Sequence, residues 1–135
     1  MQVRVWSLAS SAAAGCLRAH RAPVMQLVWA GDLLASADRE GSVLAWDVET
    51  GVATALGQHR GHATALTAVF GGSHLASGGQ DGRVCLYDCR LAGCGAAVAS
   101  VAVHTGAVND LVSHTLPSGT EVMLFSSLVL TPILP

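Results

Sequence analysis

Charge is what this chain has least of. Asp, Glu, Lys and Arg together make up 12% of its 135 residues and leave a formal net charge of −2. So weak a field excludes recruitment to nucleic acid or to an acidic membrane surface by bulk electrostatics. Two small basic clusters, Arg18/His20/Arg21 and His59/Arg60/His62, read as loop charges beside a structural histidine. Helical periodicity is missing as well, since no apolar set recurs at helical spacing over a dozen residues. The closing stretch VMLFSSLVLTPILP is uncharged, but it is too short to span a bilayer and contains two prolines. Four cysteines are present, Cys16, Cys85, Cys89 and Cys94, and the last three with His104 lack the C-x₂-C spacing of a zinc site. No disulfide framework is visible either, which points to a reducing compartment, the cytoplasm or alternatively the nucleus. The glycine-rich GGQDGR is followed by neither a helix nor Lys-Ser/Thr, so it is no phosphate cradle. Neither a metal nor a cofactor is expected.

What is present repeats. Trp6, Trp46 and Tyr87 lie 40 and 41 residues apart, and each closes an alternating apolar run. His20, His62 and His104 lie 42 apart, and each opens another. Periods of this size signal stacked supersecondary units. In one unit Val43, Ala45 and Asp47 alternate with Ser42, Leu44 and Trp46; in the next Val84, Leu86 and Asp88 alternate with Arg83, Cys85 and Tyr87. Such short runs bounded by Gly and Asp predict strands. Glu40–Gly41 and Asp81–Gly82 supply tight turns, and Gly31 and Gly71–Gly72 supply a second turn in each unit. Each period is therefore expected to form one four-stranded antiparallel blade. A sequence that is 51% apolar suits strands buried on both faces. The opening residues through Ala14–Gly15–Cys16 also have the look of a weak secretory or lipoprotein signal, but their register with the later units favours a strand and turn.

Residues 19–51 and 61–93 share a His, an LAS triplet, an acid just before a Gly, and an aromatic–Asp pair. With Gly61–His62, Trp46–Asp47 and the variant Tyr87–Asp88, the chain resembles the WD-repeat family over residues 1–127. The resemblance implies an all-β, incomplete β-propeller: 1–11 the end of a blade, 12–52 and 53–93 complete blades, 94–127 the start of another, and 128–135 an atypical apolar tail. A piece of a larger propeller, whether fragment or truncated isoform, is the expectation. Alternatively two copies complete each other's broken blades in a six-bladed ring; otherwise the open faces favour self-association and poor solubility.

The family's buried tetrad maps onto His20, Ser36, Glu40 and Trp46 in one blade and His62, Ser77, Asp81 and Tyr87 in the next. The following blade supplies His104 and Ser126. His62, Ser77 and Asp81 also carry the letters of a hydrolase triad, but no G-x-S-x-G elbow surrounds Ser77 and a set recurring in each blade is architectural. The resemblance further implies a non-enzymatic scaffold binding other proteins, with Arg21, Arg39, Gln80, Ala63 and Thr105 on the binding face. The stretch 75–90, LASGGQDGRVCLYDCR, is similar to the box by which substrate receptors of cullin–RING ubiquitin ligases meet their adaptor, through Asp88 and Arg90. That box supplies a narrower alternative.

Overall fold

Short runs of small and β-branched residues, interrupted every six or seven positions by glycine or aspartate, fold as strands joined by tight turns. The structure, a computed structural model, describes residues 2–10, 12–89, 98–103 and 106–127, with backbone alone at 12–14 and 125–127. It contains twelve strands among these residues. β1 (Val3–Ser7) and β2 (Ala12–Leu17) pair as a two-stranded sheet. β3 (Val24–Ala30), β4 (Leu33–Asp38), β5 (Ser42–Asp47) and β6 (Val52–Gln58) follow as a four-stranded antiparallel sheet. β7 (Ala63–Val69), β8 (His74–Gly79), β9 (Arg83–Asp88) and β10 (Ala99–Ala102) form a second. β11 (Val108–Thr115) and β12 (Glu121–Ser127) form the last pair. The protein is thus all-β, and its described helical content is one 3₁₀ turn, Phe70–Gly72.

Pairing places the blade boundaries differently from the sequence period. Ala12–Leu17 pairs with β1, so it closes the first sheet and does not open the second. Val52–Gln58 pairs with β5, Trp46 opposite Ala53, and β10 pairs with β9 beyond residue 93. The expected bounds, 12–52 and 53–93, open each unit with a strand that closes the preceding sheet, whereas the four-stranded sheets begin at the innermost strands β3 and β7, just after His20 and His62.

The sheets stack face to face, with β3 against β7 and β7 against β11. Alternation sends Ala35, Ala37, Val43 and Ala45 to one side of their sheet, where they meet Ala63, Leu66, Leu75 and Tyr87 of the next. Leu34 and Trp46 leave by the opposite side and pack on Val3 and Leu17. Ala65, Val69, Ala76 and Val84 in turn meet Val108 and Leu111. Contact is close because small residues stand at the crossings. A Cβ on Gly57 would lie 2.5 Å from the Tyr87 hydroxyl, and one on Gly78 would lie 2.6 Å from Val108 Cγ1. Polar groups follow the same seams: the Thr64 hydroxyl donates to the Val108 carbonyl, and Ser113 donates to Ala68 O at 2.5 Å.

Candidate functional site

Ser36 and Asp38 are two residues apart on β4, so both side chains leave the strand on the same face. His20, from the segment entering β3, lies across them. Its Nδ1–H donates to Asp38 Oδ2 at 2.7 Å, and its Nε2 accepts the Ser36 hydroxyl at 2.5 Å. Ser36 Oγ in turn accepts the Trp46 indole N–H at 2.8 Å. Asp38 Oδ1 receives the backbone N–H groups of Glu40 and Ser42, at 2.9 and 3.0 Å, and so fixes the turn between β4 and β5. All four side chains are buried.

The next sheet rebuilds the network with changed parts. His59 Nδ1–H donates to Asp81 Oδ1 at 3.0 Å, its Nε2 accepts the Ser77 hydroxyl at 2.7 Å, and Ser77 Oγ accepts the Tyr87 hydroxyl at 3.0 Å. Burial pushes the Tyr87 phenol above its ordinary value, keeping it a proton donor. Asp81 also receives the backbone N–H of Arg60 at 3.0 Å and of Arg83 at 3.2 Å. Burial works against its charge, but these two N–H groups and the His59 ring hold the carboxyl below the ordinary carboxylate value.

Two residues expected in these networks are replaced. The first is Glu40, which is exposed at the turn and lends only its backbone N–H, while Asp38 supplies the carboxylate. The second is His62, whose place His59 takes; the His62 backbone pairs with Gln80 instead, its N–H on Gln80 Oε1 at 3.2 Å. Hairpin length explains the second change. Ala30 pairs with Leu33 across a two-residue turn, whereas Val69 pairs with His74 across four residues. Leu27 opposite Ser36 therefore corresponds to Leu66 opposite Ser77, and counting back seven residues from each leads to His20 and His59. The first change follows from the strand end. Position 79 corresponds to 38, and there a Cβ would run into the His59 ring. Gly79 leaves that space to the imidazole, so the acid comes from the turn. His104, Thr105 and Arg90 lie outside the described residues, as does the side chain of Ser126, which sits in β12 opposite Asp110. Cys94 is outside them too; Cys85 is buried as a small apolar strand residue.

In both sheets Ser, His and Asp stand in the order of a hydrolase triad, with His59 in place of His62. Ser36 and Ser77 are fully buried, and each hydroxyl oxygen already takes a proton from an indole or a phenol. A nucleophile needs an open path to substrate and vacant donors for an oxyanion. Here the arrangement is built twice and shut both times, so what it accomplishes is to hold turns.

The turns it holds face one way. The entries to β3 and β7, the β4–β5 and β8–β9 turns, and the ends of β6 and β10 all lie at the same end of the sheets by antiparallel pairing. Arg39 N–H donates to Pro23 O, His59 N–H to Gly41 O, and Val103 N–H to Gly82 O, tying neighbouring turns together. Gly41 takes φ +95° there, and a Cβ on it would strike the Gly61 carbonyl at 2.5 Å. Arg21, Arg39 and Gln80 are exposed at this end, as is Arg60, which sequence reasoning had placed among ordinary loop charges. Ala63 is buried in the seam with the preceding sheet and presents nothing to a partner. Asp88 sits at the opposite end of β9, half-buried, with its Oδ2 3.6 Å from His74 Nε2.

Four-stranded antiparallel sheets stacked face to face around neighbouring inner strands, each locked by a His–Ser–aromatic network, define the β-propeller class. Within that class the chain is similar to the WD-repeat proteins: residues 53–88 match the family "WD domain, G-beta repeat". Over 60 residues, 43% of this chain, it is 35% identical to "WD repeat, SAM and U-box domain-containing protein 1" of Danio rerio, and spans 12% of that protein's length. Among solved structures it resembles a chain of the "Crystal Structure of Mitotic Checkpoint Complex" with a TM-score of 0.79 and 23% identity, covering 93% of this chain and 38% of that one. It is also similar to the "computationally designed Ika4 protein", with a TM-score of 0.74 and 21% identity over 92% of this chain and 79% of that one.

Proposed function

We propose that the chain acts as a rigid, non-enzymatic platform whose turn-bearing end binds another protein, within a reducing compartment and as part of a larger propeller. The observation that supports this is the coupling of the buried networks to that end. Asp38 and Asp81 clamp the turns carrying Arg39 and Gln80, and Arg21 and Arg60 flank the same turns. The guanidinium groups of Arg21, Arg39 and Arg60 make no ion pair among the described residues. Three arginines on preorganised loops suit a partner that presents carboxylates, and arginine is a frequent anchor at such contacts. Pre-ordering the loops lowers the entropy lost on association.

The test is replacement of Arg21, Arg39 and Arg60 together by glutamate, with far-UV circular dichroism to show that the sheets persist. Proteins cross-linked by the native chain in cells should be lost from the variant. An unchanged set of cross-linked partners rejects this end as the binding surface. The narrower role of cullin–RING substrate receptor needs Asp88 available beside Arg90. Since Asp88 is partly buried against His74, the general reading is preferred.

A further inference from the structure

The two ends of the sheets differ in charge. Opposite the turns that carry Arg21, Arg39 and Arg60 stand Asp32, Asp47, Glu49 and Glu121, with Asp88 half-buried among them. No described arginine lies at this end, and the chain contains no lysine. The hairpin between β7 and β8 opens here, longer by two residues than its counterpart between β3 and β4. Its extra length sets Phe70 on the surface, 52% exposed. Both neighbouring sheets are in place beside this turn, so the exposure belongs to the turn itself and not to an uncovered sheet face. Phe70 also takes φ +52°, a region that a bulky side chain normally avoids. Such conformations persist where the surroundings over-determine them, and they gather at functional positions. Here Glu121 Oε1 accepts the Phe70 N–H at 3.2 Å, and the Phe70 carbonyl accepts the Ser73 N–H at 3.3 Å and the Ser73 hydroxyl at 3.0 Å. None of these bonds needs an aromatic side chain. The ring stands edge-on to His74, with 5.0 Å between centroids.

Beside this turn lies a groove of about 430 Å³, bordered by Gly31, Gly71, Gly72, His114, Thr115 and Glu121. Two turns meet at it backbone to backbone, since a Cβ on Gly72 would lie 2.6 Å from Gly31 N. Asp32 therefore stands next to the groove. Each Glu121 oxygen accepts one hydrogen bond, from the Phe70 N–H or the Thr115 hydroxyl, and keeps a second lone pair. The carboxylate meets no cation among the described residues. We propose that this end is a second protein-binding surface, which takes an arginine-bearing segment of another protein. The guanidinium lies over the Phe70 ring and reaches the Glu121 carboxylate. Arginine suits the site better than lysine because its plane stacks on an aromatic face while its fork meets a carboxylate. A Cβ on Gly71 would meet nothing within 4 Å, which leaves room there for the backbone of the segment. Negative charge on this end disfavours nucleic acid and anionic lipid, so the occupant is a basic stretch of protein. The platform then holds partners of opposite charge at its two ends.

Titration of the isotope-labelled 135-residue chain with acetyl-triarginine amide, followed through backbone amide shifts, tests this. Saturable shifts are expected at Phe70, Gly71, Gly72 and Glu121, and acetyl-triglutamate amide should leave these four unmoved. Phe70→Gly keeps the backbone bonds, relieves the positive φ and removes the ring. It should leave the urea midpoint unchanged or higher while weakening triarginine at least about fivefold. Glu121→Gln still offers an oxygen to the Phe70 N–H, and should weaken triarginine by a similar factor. Absence of the four shifts, shifts confined to the end that carries Arg21, Arg39 and Arg60, or native affinity in either variant overturns the proposal.

Discussion

At the scale of single residues, the networks make opposite forecasts for neighbours in sequence. Asp38→Ala leaves the His20 Nδ1–H and the backbone N–H groups of Glu40 and Ser42 without their acceptor. Each orphaned buried group costs roughly 1–3 kcal/mol, so urea denaturation should show a loss of at least about 2 kcal/mol. Glu40→Ala, two residues on and exposed, should stay within about 0.5 kcal/mol. His59→Ala should likewise cost far more than His62→Ala in the same assay. Acid should act through Asp81. Its folded value lies below its unfolded one, so the carboxylate adds stability above about pH 4 and loses it as pH falls through the folded value. The stability gap between native chain and Asp81→Asn, from urea midpoints, should be widest near neutrality and close on acidification toward about pH 3. Part of this chemistry was legible through the family resemblance, which implied Ser36, Ser77, Trp46 and Tyr87 at the LAS triplets and closing aromatics. His20 and Asp81 were named as well, but His59 and Asp38 were missed, because their choice depends on a two-residue difference in hairpin length and on whether a strand ends in LASAD or LASGG. Counting from the serine, and noticing that Asp38 shares its face, was the signal available.

At the scale of elements, alternation and turn glycines were enough to foresee β3 to β5 and β7 to β9. The sheet boundaries were not legible, because β2, β6 and β10 carry no marker of their own and are assigned only by which edge they pair with. Stacking of sheets was also invisible, since it depends on small residues meeting a ring from another element. Gly57 is the sharpest instance: its missing Cβ is the space filled by Tyr87 of the next sheet. Gly57→Ala should therefore destabilise the chain by about 1–3 kcal/mol through overpacking, measured by chemical denaturation. The corresponding change at Gly51, where a Cβ would meet nothing within 4 Å, escapes the overpacking cost and keeps only the strain of φ +75°. The four-residue turn between β7 and β8 carries its own strain. Phe70, Gly71 and Gly72 all have positive φ, and the Phe70 N–H is held by Glu121 Oε1 of β12 at 3.2 Å. That bond crosses to the neighbouring sheet, so the longer hairpin that displaced the histidine assignment also fastens two sheets together.

At the scale of the molecule, everything depends on sheets stacked as successive sectors around neighbouring inner strands, with buried networks fixing the turns at one end. The repeat period suggested such a stack, and the register of Leu27, Leu66 and Leu111 shows it, two of them covered by a preceding sheet and one left open. A platform of this kind gains its rigidity from contacts between sheets as much as from pairing within them. Those contacts are specific enough to be read one by one in solution. The most direct measurement is a nuclear Overhauser spectrum of the isotope-labelled chain. Cross-peaks are predicted from Gly57 Hα to the Tyr87 ring and from Gly78 Hα to the Val108 methyls, alongside the strand-pairing peaks of β4 with β5 and β8 with β9. Strand-pairing peaks without those two contacts between sheets would contradict the account.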